Sequence, residues 1–245
     1  MKLALMQPYF FPYLGYFDII KCVDKWIVFD TVQYIRRGWI HRNRILHAKE
    51  GWQYIVVPVK QHAHKNVIKD IMIANEQNWK RRIIGKLQHY NKKAPYFHQT
   101  IAFVEDCLAI QENSISRLNV SILDKVCARL GIHFDYSFFS EMDLELGPVE
   151  EPGDWGLRVS ELMGAGEYVN PSGGTRLFNE QKFRDNNIRL TIRNLPPFEY
   201  PCIGYEFIPN LSIIDLFMWN KPETIKQHLD NEFVNVPMLS KGIGP

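Results

Sequence analysis

The sequence predicts an α/β fold, a Rossmann-like parallel sheet with an inserted or appended helical region. Three observations point there. Residues 2–7 (KLALMQ) read as a short buried strand. The run from Pro8 to Phe17 follows at once, punctuated by Pro and Gly, and gives way to a helix-like stretch, Asp18 to Asp24. A second strand pattern, Trp26–Asp30, comes next, and strand, helix, strand implies a right-handed βαβ unit. In such folds ligands bind beyond the carboxyl ends of the strands, where a helix N-terminus offers free N–H groups to anions.

The remaining elements follow in order. Trp52–Val59 is a β-branched run closed by Pro58, and residues 31–51 read as a polar connection flecked with aromatics. A helix is expected from about Asn78 to Tyr90, broken before Pro95, and another from Phe97 to Ile110. Leu118, Ile122, Val126 and Leu130 recur at i, i+4 on a third helix, Ser116 to Leu130, with Gly131 as its stop. Phe134–Phe139 reads as a strand and residues 141–154 as an acidic surface loop. Leu157–Met163 is a short helix, Glu167–Asn170 and Arg189–Arg193 are strands, and Ser212–Trp219 and Pro222–Leu229 are helical. The tail from Pro237 is expected to fray. With no linker in sight, the expectation is a single α/β domain over residues 1–245, with a helix-rich part at about 78–130.

Composition excludes several classes. The net charge is +2 and 46% of the 245 residues are hydrophobic, which fits a globular protein with a sizeable core. No run reaches the roughly 18 apolar residues of a membrane span. The N-terminus enters strand pattern directly, so no signal peptide is expected. Cys22, Cys107, Cys127 and Cys202 form no CxxC pair, which suits reduced thiols and a cytoplasmic location.

Four segments are candidate chemistry. Five aromatics fall between Pro8 and Tyr16, and they serve either to stack a flat ligand or to pack as core or lid; Gln7, Tyr9, Tyr13, Gly15 and Tyr16 are the candidate contacts there. Residues 31–69 hold eight Lys/Arg against one acid, Glu50. Arg42 and Arg44, with Trp39 and Asn43 interleaved, suit a phosphate or carboxylate, since Arg supplies forked donors. Nucleic acid is the competing use of such a patch. The patch is short and the whole chain balanced, so no DNA partner is expected. His62-Ala63-His64 lacks a third ligand at usable spacing, and no metal is expected. In the turn Asn170–Arg176, Ser172, Gly173, Gly174 and Arg176 suit an oxyanion, although the Lys-Ser/Thr ending of a P-loop is absent. Asp30, at the end of the second strand, is the candidate base, with Gln33 to position a polar substrate. Asp215, an acid inside an apolar run, is expected to pair with an Arg of the basic stretch.

These segments resemble the WbqC-like family. The resemblance is carried by MQPYFFPYLGYF (6–17), VDKWIVFDTVQY (23–34), GWIHRNRI (38–45), YNKKAPYF (90–97), YVNPSGG (168–174) and LSIIDLF (211–217). It implies a protein of bacterial surface-polysaccharide (O-antigen) biosynthesis. The activity suggested for the group is transfer of glycine or another aminoacyl unit to a sugar. It carries over no catalytic residues. The N-terminal turn is also similar to that of nucleotidyltransferases and pantothenate synthetase, where a His-x-Gly-His turn binds ATP phosphates. Here the pattern is Tyr13-Leu14-Gly15-Tyr16: Gly15 matches and both His positions are Tyr. A neutral phenol does not supply an imidazolium charge.

Three functions compete on this reading. The first is a transferase or ligase joining an acyl or aminoacyl group to an amino sugar carried on a nucleotide. The second is a nucleotidyltransferase-like enzyme using ATP or CTP. The third is a non-catalytic binder of a nucleotide sugar or of a partner. The cofactor stays open between ATP and another activated acyl donor, an aminoacyl-tRNA included.

Overall fold

The computed structural model describes residues 1–231; the tail from Pro237 lies outside them. Five strands form one parallel sheet: β1 (Lys2–Met6), β2 (Lys25–Val28), β5 (Tyr136–Phe138), β6 (Glu167–Pro171) and β7 (Arg189–Arg193). Their spatial order is β5-β2-β1-β6-β7, and every pairing is parallel. Within the sheet the chain runs outward from β1 through β2 to β5, then crosses to β6 and β7 on the other side. This is a doubly wound, Rossmann-like order, and its switch point lies between β1 and β6.

Alternation along the strands explains why both faces are covered. Ala4, Trp26 and Val28 join the larger core, while Leu3, Leu5 and Ile27 join a second cluster with Leu157, Tyr168 and Phe183. Strands buried on both faces read as continuous apolar runs, as KLALM and KWIV do. Helices α5 (Asp154–Leu162) and α6 (Glu180–Asp185) supply the second cluster. Helix α1 (Leu14–Cys22) packs on the other face, and it begins four residues earlier than the sequence pattern suggests. The reason is burial: Leu14 to Ile20 are all buried, which erases the amphipathic signal.

Between β2 and β5 the chain inserts a hairpin and three helices. Strands β3 (Arg42–Leu46) and β4 (Trp52–Val56) pair antiparallel, outside the parallel sheet. The sequence pattern predicts only a polar connection over β3. The inward positions of that strand are Asn43 and Ile45, and an amide in the apolar register hides it. Helices α2 (Trp79–Leu87), α3 (Phe97–Ala109) and α4 (Ile115–Leu130) lie close to their expected spans. Gly131 ends α4 at φ +63°, a left-handed cap that suits Gly. Helices α7 (Ile213–Trp219) and α8 (Pro222–Asp230) close the larger core against α3 and α4.

Asp215 sits in the first turn of α7, fully buried. It does not pair with an arginine. The hydroxyls of Tyr90 and Tyr200 donate to its two carboxylate oxygens, and Tyr90 in turn accepts the Leu46 N–H. Two phenols and a helix N-terminus satisfy the acid without a cation, which the local sequence gives no means of seeing. Burial raises its pKa from 3.8 to about 6 against the lowering effect of those hydrogen bonds. Because the folded value lies above the unfolded one, the proton is held more tightly in the folded state. That stabilisation is complete below the ordinary value near 3.8 and is lost as pH rises through about 6. Relative to an Asp215→Asn variant, the wild type should therefore gain about 2–3 kcal/mol of stability between pH 7 and pH 4 in urea unfolding. A pH-independent difference would show that this carboxyl keeps its ordinary pKa.

Candidate active-site cleft

The carboxyl ends of β1, β6 and β7 open into a cleft of about 310 Å³. Ligands of open α/β sheets bind at this switch point. Its walls come from four segments: the loop after β1 with the start of α1, residues 39–44, residues 171–173, and residues 193–195 with Asn210.

The loop after β1 is held by side-chain amides. Asn43 is buried and its Nδ2 donates to the carbonyls of Phe10 and Phe11, both at 3.0 Å. Asn119, wholly buried, donates to Pro8 at 2.8 Å and Ile40 at 2.7 Å. The Ser212 hydroxyl reaches the Phe11 carbonyl, and the Ile213 N–H reaches that of Pro12. Phe11 is thereby kept at φ +40°, a region that non-Gly residues rarely occupy. The aromatic run divides in two. Phe10, Phe11, Tyr16 and Phe17 are buried, while Tyr9 and Tyr13 face the cleft. Burial raises the pKa of both cleft-facing phenols, with Tyr13 adding to the effect on Tyr9 and Asp18 to that on Tyr13, so both are neutral donors at pH 7.

Helix α1 starts at this wall with no side-chain cap. Gly15 is required there: a Cβ would stand 2.5 Å from the Tyr13 ring, which lies across the first turn. On the opposite wall the Ser172 hydroxyl donates to Asn194 Oδ1 at 3.2 Å, joining the ends of β6 and β7. Gly173 is open, whereas a Cβ on Gly174 would meet the Asn170 amide at 2.5 Å.

Two arginines reach the cleft. Arg44 lies between the rings of Trp39 and Trp52, 5.3 Å from each centroid, and donates to the Asn210 carbonyl at 3.4 Å. Arg193 forks onto Asp18 with two bonds of 2.8 Å, and this pairing raises its pKa. Asp18 is 1% exposed, so the pair is substantially desolvated.

Eight of the sequence-derived candidates thus line one cleft: Tyr9, Tyr13, Gly15, Trp39, Asn43, Arg44, Ser172 and Gly173. The others stand elsewhere. Asp30 is buried, and its carboxylate accepts the Ser140 N–H at 3.1 Å and hydroxyl at 2.6 Å. The carbonyl of Gln7 accepts the hydroxyl of Tyr16, itself buried against Trp26. Gln33 is exposed and bonds His64. Arg42 bonds the carbonyls of Arg37 and Gly38 and lies over Tyr54. Gly174 is partly buried against Asn170 outside the cleft lining, and Arg176 is exposed. Sequence reasoning missed Asp18, Arg193 and Asn194. The pair Asp18–Arg193 spans 175 positions, and no local pattern marks it.

The fold and the cleft define a Rossmann-like α/β protein with a cleft at its switch point. The chain belongs to the WbqC-like protein family, whose model matches residues 7–227. It is also similar to the uncharacterized protein Rv1507c of Mycobacterium tuberculosis, 28% identical over 219 residues, which cover 88% of this chain and 92% of that protein. No solved structure matches it significantly. Among the described residues no helix is long and apolar enough to cross a membrane.

The two arginines should respond differently to truncation. Arg193→Ala strands a buried carboxylate and should cost about 3 kcal/mol or more. Arg44→Ala removes a half-buried cation that has no carboxylate partner and should cost about 1 kcal/mol. Chemical denaturation of both variants checks the contrast; equal losses would mean that the Asp18 pairing is not a structural bond.

Proposed function

We propose that the chain is a transferase or ligase of bacterial surface-polysaccharide assembly, attaching a small acyl or aminoacyl group, glycine among the candidates, to an amino sugar carried on a nucleotide. One observation carries the reading. Arg44, Arg193 and the uncapped N-terminus of α1 meet in one cleft walled by Tyr9, Tyr13 and Trp39. The Arg44 guanidinium, the remaining N–H donors of the Asp18-paired Arg193 and backbone N–H groups suit a diphosphate, and flat rings suit a base or sugar. Family membership supports the biosynthetic setting.

A specific observation favours a second reading, a non-catalytic nucleotide-sugar binder. An amine must lose a proton to become an amide, which calls for a base. Asp30 is bound to Ser140, and Asp18, the carboxylate in the cleft wall, is forked onto Arg193. Under the transferase reading the base is therefore the donor's own leaving group or another atom brought with the substrates. Nucleotidyl transfer is the least supported reading, because Tyr16 is buried on the Gln7 carbonyl and Tyr13 is neutral.

The test is a thermal-shift screen against UDP-, GDP- and dTDP-sugars, followed by mass spectrometry of mixtures with glycine and ATP or with charged tRNA. A true ligand at a hundredfold excess over Kd should raise Tm by about 5–10 °C. Arg44→Ala should remove most of that rise. Acylated sugar supports the transferase, and binding without product supports the binder. No rise with any nucleotide sugar would overturn both.

A further inference from the structure

The near-neutral net charge conceals a division. Residues 31–104, from the end of β2 to the middle of α3, hold fourteen Lys and Arg against three Asp and Glu. That is a net +11 in a chain of +2, so the rest of the chain carries −9. Eleven of the fourteen cations are exposed. Among the described residues, Lys69 alone of these fourteen forms an ion pair, with its neighbour Asp70. Ordinary solvated surfaces intersperse both signs, and a one-sided charge of this size is the footprint of a polyanion partner.

The hairpin gives the charge a shape. On its outer face cations alternate with rings: Arg44 between Trp39 and Trp52, and Arg42 4.1 Å from the centre of Tyr54. Trp52 is 42% exposed, a large cost for an indole without a partner. Helix α2 packs along β4 and adds the exposed Arg82 and Lys86, which border Val56 of that strand, Lys86 being bonded to the Tyr54 carbonyl. A flat β face with half-exposed rings between guanidinium groups suits unstacked bases on a phosphate chain. A duplex would hide those bases, and an anionic membrane would need no rings between the cations. The face runs into the cleft through Arg44 and Trp39, which belong to both.

We propose that this face binds a single-stranded RNA end and leads it toward the cleft. The choice of RNA rests on the acyl-transfer reading. An RNA 3′ end is the nucleic acid terminus that carries an esterified aminoacyl group, an activated donor needing no ATP at the transfer step. Attack by the sugar amine on the ester carbonyl forms the C–N bond and breaks the C–O bond. The amine proton passes to the departing ribose oxygen, so the leaving group supplies the base that the cleft lacks.

Fluorescence anisotropy of the full chain with a fluorescein-labelled single-stranded RNA of about 12 nucleotides tests this. Binding should weaken with salt, log Kobs falling by about 0.7 per phosphate contact for each tenfold rise. Arg82→Glu should weaken binding at least about fivefold and flatten that slope. Trp52→Ala should weaken it about 5- to 100-fold through lost stacking. Arg189→Glu, at the amino end of β7, should change nothing; each variant should keep the wild-type Tm. No binding at about 50 mM salt would overturn the proposal. So would tighter binding to DNA of the same sequence, or binding to phosphatidylglycerol vesicles with Trp52→Ala without effect on RNA. The nucleotide-sugar thermal shift is read without RNA, so failure of the cleft reading and failure of this one are separate results.

Discussion

The loop after β1 is an irregular backbone segment buried at the centre of the molecule, and the rest of the structure is arranged to satisfy it. Buried carbonyls without partners cost about 1–3 kcal/mol each. Those of Pro8, Phe10, Phe11 and Pro12 all find one, and none of the donors is local. Asn43 comes from the hairpin, Asn119 from α4, Ser212 and Ile213 from the start of α7. The strained Phe11 persists because these bonds and its own complete burial fix it from several sides. The same register that turns Asn43 inward turns Arg44 outward. A one-residue slip of β3 would exchange them, losing the loop's anchor and the cleft's cation together.

This constraint also explains the chemical character of the cleft. Each buried acid of the molecule's centre already has a structural partner: Asp18 has Arg193, Asp30 has Ser140 and Asp215 has two phenols. What remains facing the cavity besides the Asp18–Arg193 pair is the Arg44 guanidinium, neutral hydroxyls and backbone N–H groups. Such a set is preorganised to hold negative charge, and it works with little reorganisation when an anion arrives. It is poorly equipped to move protons. Under the transferase reading proposed above, this chain's own residues would bind and orient, and proton transfer would fall to groups that the reactants bring.

Much of the fold is legible in the sequence because regular elements announce themselves locally. Leu118, Ile122, Val126 and Leu130 with the Gly131 stop describe α4 from their spacing alone, and the strand–turn–helix start describes the sheet's first crossover. The failures share one physical cause: a polar residue working at long range inside the core. Asn43 breaks the apolar register of β3 because it serves loop carbonyls 32 and 33 positions away. Asp18 reads as a helix start, yet its partner lies across the sheet in β7. Asp30 looks like a base at a strand end, and its partner Ser140 is 110 positions away. The candidate site is half legible for the same reason. Aromatic, glycine and arginine clusters are contiguous in sequence, whereas the ion pair that completes the cleft is not.

The two halves of the site have separate origins. The parallel sheet alone supplies a switch point, a helix N-terminus and the linked ends of β6 and β7, features of backbone geometry that many such folds share. The insertion between β2 and β5 supplies what is particular to this chain: the amides that hold the first loop, the Trp39–Arg44–Trp52 stack, and, among the described residues, most of the cations that form no ion pair. Arg44 is where the two meet, one residue from the loop's anchor and in contact with both cleft and hairpin face. A chain that kept the sheet and lost the hairpin would keep Arg193 and the linked ends of β6 and β7, and would lose Arg44 and the Asn43 anchor of the first loop.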